Sequence, residues 1–285
     1  MKLLTTKTAL MSLLSVAVFT GCALSTNTKE TKMNSEKQQV VELLNSIENG
    51  KRKPAGVINP TKYIQHNLAV KDGIAGFGEA LSHLPKRSAK VDVARVFKDG
   101  DFVFTHTKYN FFGPKIGFDI FRFENGKIVE HWDNLQAIVE KTASGRSQID
   151  GPTQIKDLDK TQANKALVEG LLNDVFFGKN PAKITEYIST KTYNQHNPHV
   201  KDSLGALGEA LKGMAESGMP MIYKKNHMIL GEGNFVLMVS EGTFMNKHSS
   251  FYDLFRIENG KIVEHWDTIE EIPVEAKWQN SNGKF

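Results

Sequence analysis

Two stretches of the chain end in the same three side chains, His131-Trp132-Asp133 and His265-Trp266-Asp267. Successive side chains of a β-strand point to opposite faces, so His131 shares a face with Asp133, and His265 with Asp267, while Trp132 and Trp266 take the other. If that face lines a cavity, the pair can do proton chemistry. A carboxyl group in partly apolar surroundings is harder to ionise, and it can take a proton from carbon or return it while the imidazole orients it or bonds a substrate oxygen. On an open surface the same pair is a solvated strand end. His-x-Asp also sets two metal ligands on one side, but local spacing fixes no third, and no metal is expected.

A second constellation accompanies the first: Gln65-His66-Asn67 and Gln195-His196-Asn197. Asn tolerates left-handed backbone, so Asn67 and Asn197 suit either a helix end or, with His66 and His196, the polar mouth of a cavity. Asp119 and Asp253 alternate away from Ile120 and Arg122, and from Leu254 and Arg256, which reads as surface pairing unless the strand twists inward. Phe111, Phe112, Phe118, Phe121 and Phe123 read as core.

These residues recur because the chain repeats itself. Tyr63 to Leu81 matches Tyr193 to Leu211 at eleven of nineteen positions, and Phe118 to Asp133 matches Tyr252 to Asp267 with three differences in sixteen. The chain is therefore a tandem duplication of a ~110-residue unit, a normal size for one domain. In each copy helices come first. Ser35 and Gln38 form a capping-box pattern before Val40, Val41, Leu44 and Ile47; Thr161 opens the matching helix; and Asp72 and Asp202 are placed to cap a further one. In that helix Ile74, Phe77, Leu81 and Leu84, or Leu204, Leu207, Leu211 and Met214, share a face. Alternating runs follow over 91–97, 101–109, 118–123 and 127–135, with Asn125-Gly126 as a hairpin turn. Helices ahead of an antiparallel sheet indicate an α+β domain.

The 285 residues are 40% hydrophobic and 24% charged, which excludes disorder and a membrane bundle; a net charge of +4 gives no general pull on nucleic acid. The N-terminus is a different kind of sequence. Lys2 and Lys7 precede an apolar run from Leu10 to Phe19, too short to span a bilayer permanently, and Phe19-Thr20-Gly21-Cys22 ends it at the only cysteine. The junction resembles a bacterial lipobox with Phe19 where Leu is usual. The expected organisation is a signal peptide over 1–21, lipid attachment at Cys22, a polar tether over 22–34, a first domain over 35–141, a linker over 142–160, a second domain over 161–272 and a tail over 273–285. That places the protein in the bacterial cell envelope, periplasmic or outer-surface, held to the membrane by its lipid anchor alone.

Tyr63-Ile-Gln-His-Asn67, the Asp-x-Phe-Arg strands at 119 and 253, and Glu-Asn-Gly-Lys-Ile-Val-Glu-His-Trp-Asp resemble the SnoaL-like proteins of the nuclear transport factor 2-like superfamily. The resemblance covers roughly 35–140 and 160–272, and Leu68 departs from it where the second copy has Pro198. It implies two tandem cone-shaped α+β barrels, each a strongly bent antiparallel sheet around a pocket. In polyketide cyclases of the family an Asp in an apolar pocket is the acid/base of an intramolecular aldol condensation. By position Asp133 and Asp267 match it, His131 and His265 its neighbour, and Asn67 and Asn197 a polar pocket residue. Two functions follow. One is cofactor-independent acid/base chemistry on an apolar carbonyl compound, in which His131 and His265 hold the carboxylate and Asn67 and Asn197 steady an enolate. The other is a non-catalytic pocket or contact surface, for a small apolar ligand or another protein. Members of the family often pair through their sheets, and here the two copies are expected to do so within one chain, as an intramolecular pseudo-dimer.

Overall fold

Hydrophobic alternation along each strand sets one sheet face against helices and leaves the other for a second partner. A computed structural model of the chain describes residues 23–84 and 88–285, so the expected signal segment, with Cys22, lies outside the described residues. Helix α1 spans Ala23–Asn49 and α2 spans Gly73–His83. The strands of the first repeat are β1 (Ile64–Gln65), β2 (Lys90–Asp99), β3 (Phe102–Asn110), β4 (Pro114–Glu124) and β5 (Lys127–Ala137), in sheet order β1-β5-β4-β3-β2. The second repeat has α3 (Thr161–Leu171), continued by a π-helical turn over Leu172–Phe176, then α4 (Ile184–Tyr187) and α5 (Leu204–Glu216). Its strands are β6 (Asn194–Gln195), β7 (Ile222–Glu232), β8 (Phe235–Phe244), β9 (Lys247–Glu258) and β10 (Lys261–Glu271), in the matching order β6-β10-β9-β8-β7.

The α+β class and the two-sheet organisation agree with the sequence reading, and four details correct it. The first helix does not start at Ser35: no Gly or Pro interrupts 23–49, so it includes the stretch expected to be a tether. The Tyr-x-Gln-His-Asn segment holds a two-residue strand, which joins β5 in parallel as Gln65 does His131, so the sheet is mixed. Asp72 and Asp202 do not cap their helices; they accept the backbone N–H of Gln65 and of Gln195, and Ser203 Oγ caps α5 through Ala206 N–H. Phe112 is 67% exposed at a turn rather than core. The Asn-Gly turns do form, with positive φ at Asn125 and Gly126 and at Asn259 and Gly260, the geometry that keeps two-residue hairpins in register.

Each repeat has its own core between helices and sheet: Val40, Leu43 and Leu44 of α1 with Val103, Phe121 and Ile128, and Val168, Leu171 and Leu172 with Val236, Phe255 and Ile262. A third apolar cluster takes side chains from the opposite faces of both sheets, with Phe97, Phe104, Phe118, Ile120 and Trp132 meeting Phe235, Leu237, Tyr252, Leu254 and Trp266. Polar contacts across it are reciprocal. Asn134 donates to Thr268 O, Ile269 N–H to Gln136 Oε1, and Leu135 N–H to Glu270 Oε2. The segment after each sheet crosses to the other repeat. Ala143 N–H bonds Pro198 O and Ser147 O meets His196 Nδ1; Gln279 N–H bonds Leu68 O and Gly283 O meets His66 Nδ1. The residues expected as a linker therefore form part of the folded body.

Candidate functional site

The helix-covered face of each sheet holds a buried polar cluster at the floor of a cavity. In the second repeat β9 and β10 pair so that Asp253 lies opposite Asp267 and His265 opposite Phe255, which brings Asp253, His265 and Asp267 onto one face. The cavity above them has a volume of about 610 Å³. Its walls are apolar, including Phe176, Leu211, Met214 and Phe244, and Gln136 of the first repeat closes one side. In the first repeat Asp119, His131 and Asp133 occupy the same places under a cavity of about 160 Å³. Asp133, His131, Asp267 and His265 thus sit where the sequence placed them. Asp119 and Asp253, read as surface partners, are wall residues instead, 5% and 2% exposed, because each shares its strand face with a residue of the helix-side core two positions on, Phe121 and Phe255.

Hydrogen bonds assign the protons. Asn197 Nδ2 donates to Asp267 Oδ2 at 2.7 Å, and Asn67 Nδ2 to Asp133 Oδ2 at 2.6 Å. The other oxygens, Asp267 Oδ1 and Asp133 Oδ1, are buried and have no hydrogen-bond partner. His265 Nδ1 lies 2.8 Å from Gln195 Oε1, which can only accept, and Nε2 lies 3.0 Å from Asp253 Oδ1. Asp253 also accepts from the Tyr223 hydroxyl. With an acceptor oxygen at each ring nitrogen, His265 donates from both as an imidazolium. Burial opposes that charge, but the Asp253 hydrogen bond and the fields of Asp267 and Asp253 outweigh it and raise the His265 pKa above 6.5. Burial is also the main cause that raises Asp267 above 3.8, with Asp253 adding to it and His265, Asn197 and His199 opposing.

This geometry exchanges two expected roles. The imidazoles do not hold Asp133 and Asp267; the Asn side chains do, while His131 and His265 are bonded to Gln65 and Asp119, and to Gln195 and Asp253. His66 and His196 do not line the cavities at all. They stack on Trp132 and Trp266 with centroids 4.7 and 4.6 Å apart, and they bond Glu130 and Glu264, which are held in turn by Arg122 and Arg256. His66 and Asn67 follow directly on β1 and their side chains part, Asn67 to the cavity and His66 to the interface between sheets.

Ligand atoms of Asp253, His265 and Asp267 lie within 4.8 Å of one another, near enough to share a cation, as do those of Asp119, His131 and Asp133. In the second repeat His265 Nε2, Asp253 and Asp267 Oδ2 are already committed to hydrogen bonds, and Asp267 Oδ1 is left to bind a proton.

The two sites differ behind the carboxylate. In the first, Lys284 Nζ donates to Asp133 O at 2.8 Å and to Glu270 Oε2 at 2.6 Å, and stands 3.8 Å from Asp133 Oδ1. Glu270 is the counterpart of Gln136, each three residues past its site Asp. Asp267 has no such cation: among the described residues no lysine or arginine forms an ion pair with it.

No family model matches the chain, and no curated protein matches it. Solved structures do. TsrD from Streptomyces laurentii is 20% identical with a TM-score of 0.32, over 36% of this chain and 89% of that one. An NTF-2-like protein of unknown function from Burkholderia xenovorans is 16% identical with a TM-score of 0.35, over 39% of this chain and 91% of that one. A candidate SnoaL-like polyketide cyclase from Jannaschia sp. is 14% identical with a TM-score of 0.31, over 36% of this chain and 86% of that one. Each of these matches spans a little over a third of the chain, about the length of one repeat, and the likeness is to NTF2-like and SnoaL-like proteins.

Proposed function

We propose that the protein is a lipid-anchored protein of the bacterial cell envelope whose two repeats form an intramolecular pseudo-dimer, and that its second repeat carries out acid/base chemistry on an apolar carbonyl compound. The observation that carries this reading is Asp267 Oδ1, a buried carboxyl oxygen without a partner at the floor of an apolar cavity of about 610 Å³. That volume is in the range of small-molecule sites, and its few polar groups converge at one end. Asp267 takes a proton from the carbon beside the carbonyl, and the electron pair moves into the C–O bond to give an enolate. Asn197 keeps the carboxyl oriented through Oδ2. His265 supplies a fixed positive charge beside the developing anion, at the floor of a largely apolar cavity. Asp267 then returns the proton to a different carbon, which completes an isomerisation; or the enolate carbon attacks a second carbonyl carbon of the same molecule, forming the C–C bond as that C=O π pair moves onto oxygen. In the second case Asp267 returns the proton to the resulting alkoxide, which completes a ring-closing condensation, and in either case no cofactor is used. The resemblance of the Glu-His-Trp-Asp strand to SnoaL-like cyclases supports this reaction class. Asp133 faces a smaller cavity and a lysine, which suits it to holding a ligand rather than turning one over.

5-Nitrobenzisoxazole tests the base directly. A carboxylate that removes its C3 proton breaks the N–O bond and releases a coloured cyanonitrophenolate, so no natural substrate is needed. The wild-type chain should show a saturable rate, Asp267→Asn should lower it ~100-fold or more, and Asp133→Asn should leave it within about twofold. A wild-type rate no better than acetate at equal concentration, or a rate unchanged by Asp267→Asn, refutes the base and leaves a binding pocket.

A further inference from the structure

The two repeats place a phenol on the same carboxylate from different strands. Asp119 lies opposite Thr105, and Asp253 opposite Met238, so Thr105 and Met238 are equivalent. Four residues further on the same face stand Tyr109 in the first repeat and Gly242 in the second. Across the next rung Tyr109 faces Val91, whereas Gly242 faces Tyr223. The ring has moved from β3 to the strand beside it. Its hydroxyl has not moved: Tyr109 donates to Asp119 Oδ2 at 2.6 Å, and Tyr223 to both oxygens of Asp253 at 3.2 Å.

A third position makes room for the move. Gly117 and Phe251 each precede their Asp by two residues. A Cβ on Gly117 would lie 3.1 Å from the Tyr109 ring and 2.5 Å from Leu135, and a Cβ on Gly242 would lie 3.1 Å from the Phe251 ring and 1.8 Å from Ile222 O. Phe251 in turn packs on Tyr223 with centroids 4.7 Å apart. Val91, Tyr109 and Gly117 thus become Tyr223, Gly242 and Phe251, a concerted exchange that keeps each core filled. Packing alone asks only for aromatic bulk, which Phe supplies without burying a hydroxyl; what both arrangements share is the O–H on the carboxylate.

We propose that Tyr109 and Tyr223 are positioning residues, one for each site, whose hydroxyl donates to Asp119 or Asp253 and holds it aimed at His131 or His265. The proposal rests on the acid/base reading for its catalytic consequence, but its structural content is independent of it. Both phenols line the cavities. Burial and the facing carboxylates raise both well above their ordinary value, so each stays a donor. The titratable groups facing Asp253 are His265, Asp267, Tyr193 and Tyr223; those facing Asp119 are His131, Asp133, Tyr63 and Tyr109, with Tyr252 of the other repeat behind the sheet.

The test uses the full chain with 13C-labelled aspartate carboxyls, assigned by Asp→Asn variants, and follows each resonance with pH. Tyr223→Phe should move the Asp253 midpoint to higher pH, and Tyr109→Phe should do the same for Asp119, since each loses a donor to its charged form. In the first repeat the exchange can be replayed. Val91→Tyr with Tyr109→Gly and Gly117→Phe should return the Asp119 midpoint to the wild-type value, while the same triple variant with Phe at 91 should not. Tyr223→Phe should also slow 5-nitrobenzisoxazole turnover about tenfold or more, the size expected for one hydrogen bond to a charged group. Unmoved midpoints in both single variants, or equal rescue by Tyr and Phe at 91, overturn the proposal. Failure of wild-type turnover refutes only the base, because the carboxyl midpoints still decide the role of the phenol.

Discussion

Replacing each site-strand tryptophan by phenylalanine separates what the two indoles do. Trp266 is fully buried, donates its N–H to Asp150 O at 2.9 Å, and lies under Arg95, whose Cζ is 4.4 Å from the ring centroid. Arg95 also holds the crossing segment through the carbonyls of Ile149, Asp150 and Pro152. Burial pushes Arg95 down to about 10, against the fields of Glu264 and Asp150, so it is a cation even there at neutral pH. Trp132 is also buried, though 5% exposed, and its indole nitrogen has no partner. Both substitutions shrink a buried ring, a shared cost of ~1 kcal/mol. Trp266→Phe adds the lost hydrogen bond, ~1 kcal/mol, and a weakened cation–π contact, ~1 kcal/mol, for a total near ~3 kcal/mol. Trp132→Phe removes an unsatisfied buried donor, which offsets part of its cavity, so ~1 kcal/mol or less is expected. With the urea dependence unchanged, the unfolding midpoint should fall by ~1 M for Trp266→Phe and by a few tenths of that for Trp132→Phe. Equal midpoints, or a larger loss at Trp132, would show that the Arg95 shell around the crossing segment contributes nothing to stability.

Three further outcomes rest on the assigned protons and on the N-terminal sequence. Turnover requires Asp267 without its proton and His265 with its own, so the rate should rise through a midpoint above 3.8 and fall through one above 6.5; a rate flat across this range refutes the assignment. The folded state binds the Asp267 proton more tightly than the unfolded chain does, so stability drops as pH rises from 3.8 through the raised value, and Asp267→Asn should unfold at a higher temperature than wild type at neutral pH. The His265 contribution runs the same way in a higher pH window: it is present below 6.5 and lost as pH rises through the raised imidazolium value. Finally, Cys22→Ser should move the protein from the membrane fraction to the soluble one, and unchanged partitioning and mass would refute lipid attachment.

The parts of the site legible in the sequence are those that one strand carries alone. His131 and Asp133 share a face because β-structure alternates, and Trp132 takes the other face for the same reason; no tertiary knowledge was needed for either. Asn67 could be listed as a candidate but not given its role, since whether it caps a helix or bonds Asp133 depends on a two-residue strand beside β5 that alternation cannot reveal. Asp119 reads as a surface residue because Ile120 and Arg122 share the other strand face, where an apolar residue of the core between sheets stands beside a cation paired with Glu130, and that mixture does not tell which face is covered. A buried acid among such neighbours becomes recognisable only when its donors are known, and those come from β3 in one repeat and β7 in the other. Aligning the repeats residue by residue therefore hides the tyrosine, for position 109 matches a glycine and position 223 a valine. What the duplication preserved at this point is a hydrogen bond rather than a residue, and strand register makes it visible. The closing strand illustrates the converse: its near-identity between repeats survives although Lys284 and Glu270 stand behind Asp133 while, among the described residues, no lysine pairs with Asp267, so equal motifs carry unequal sites.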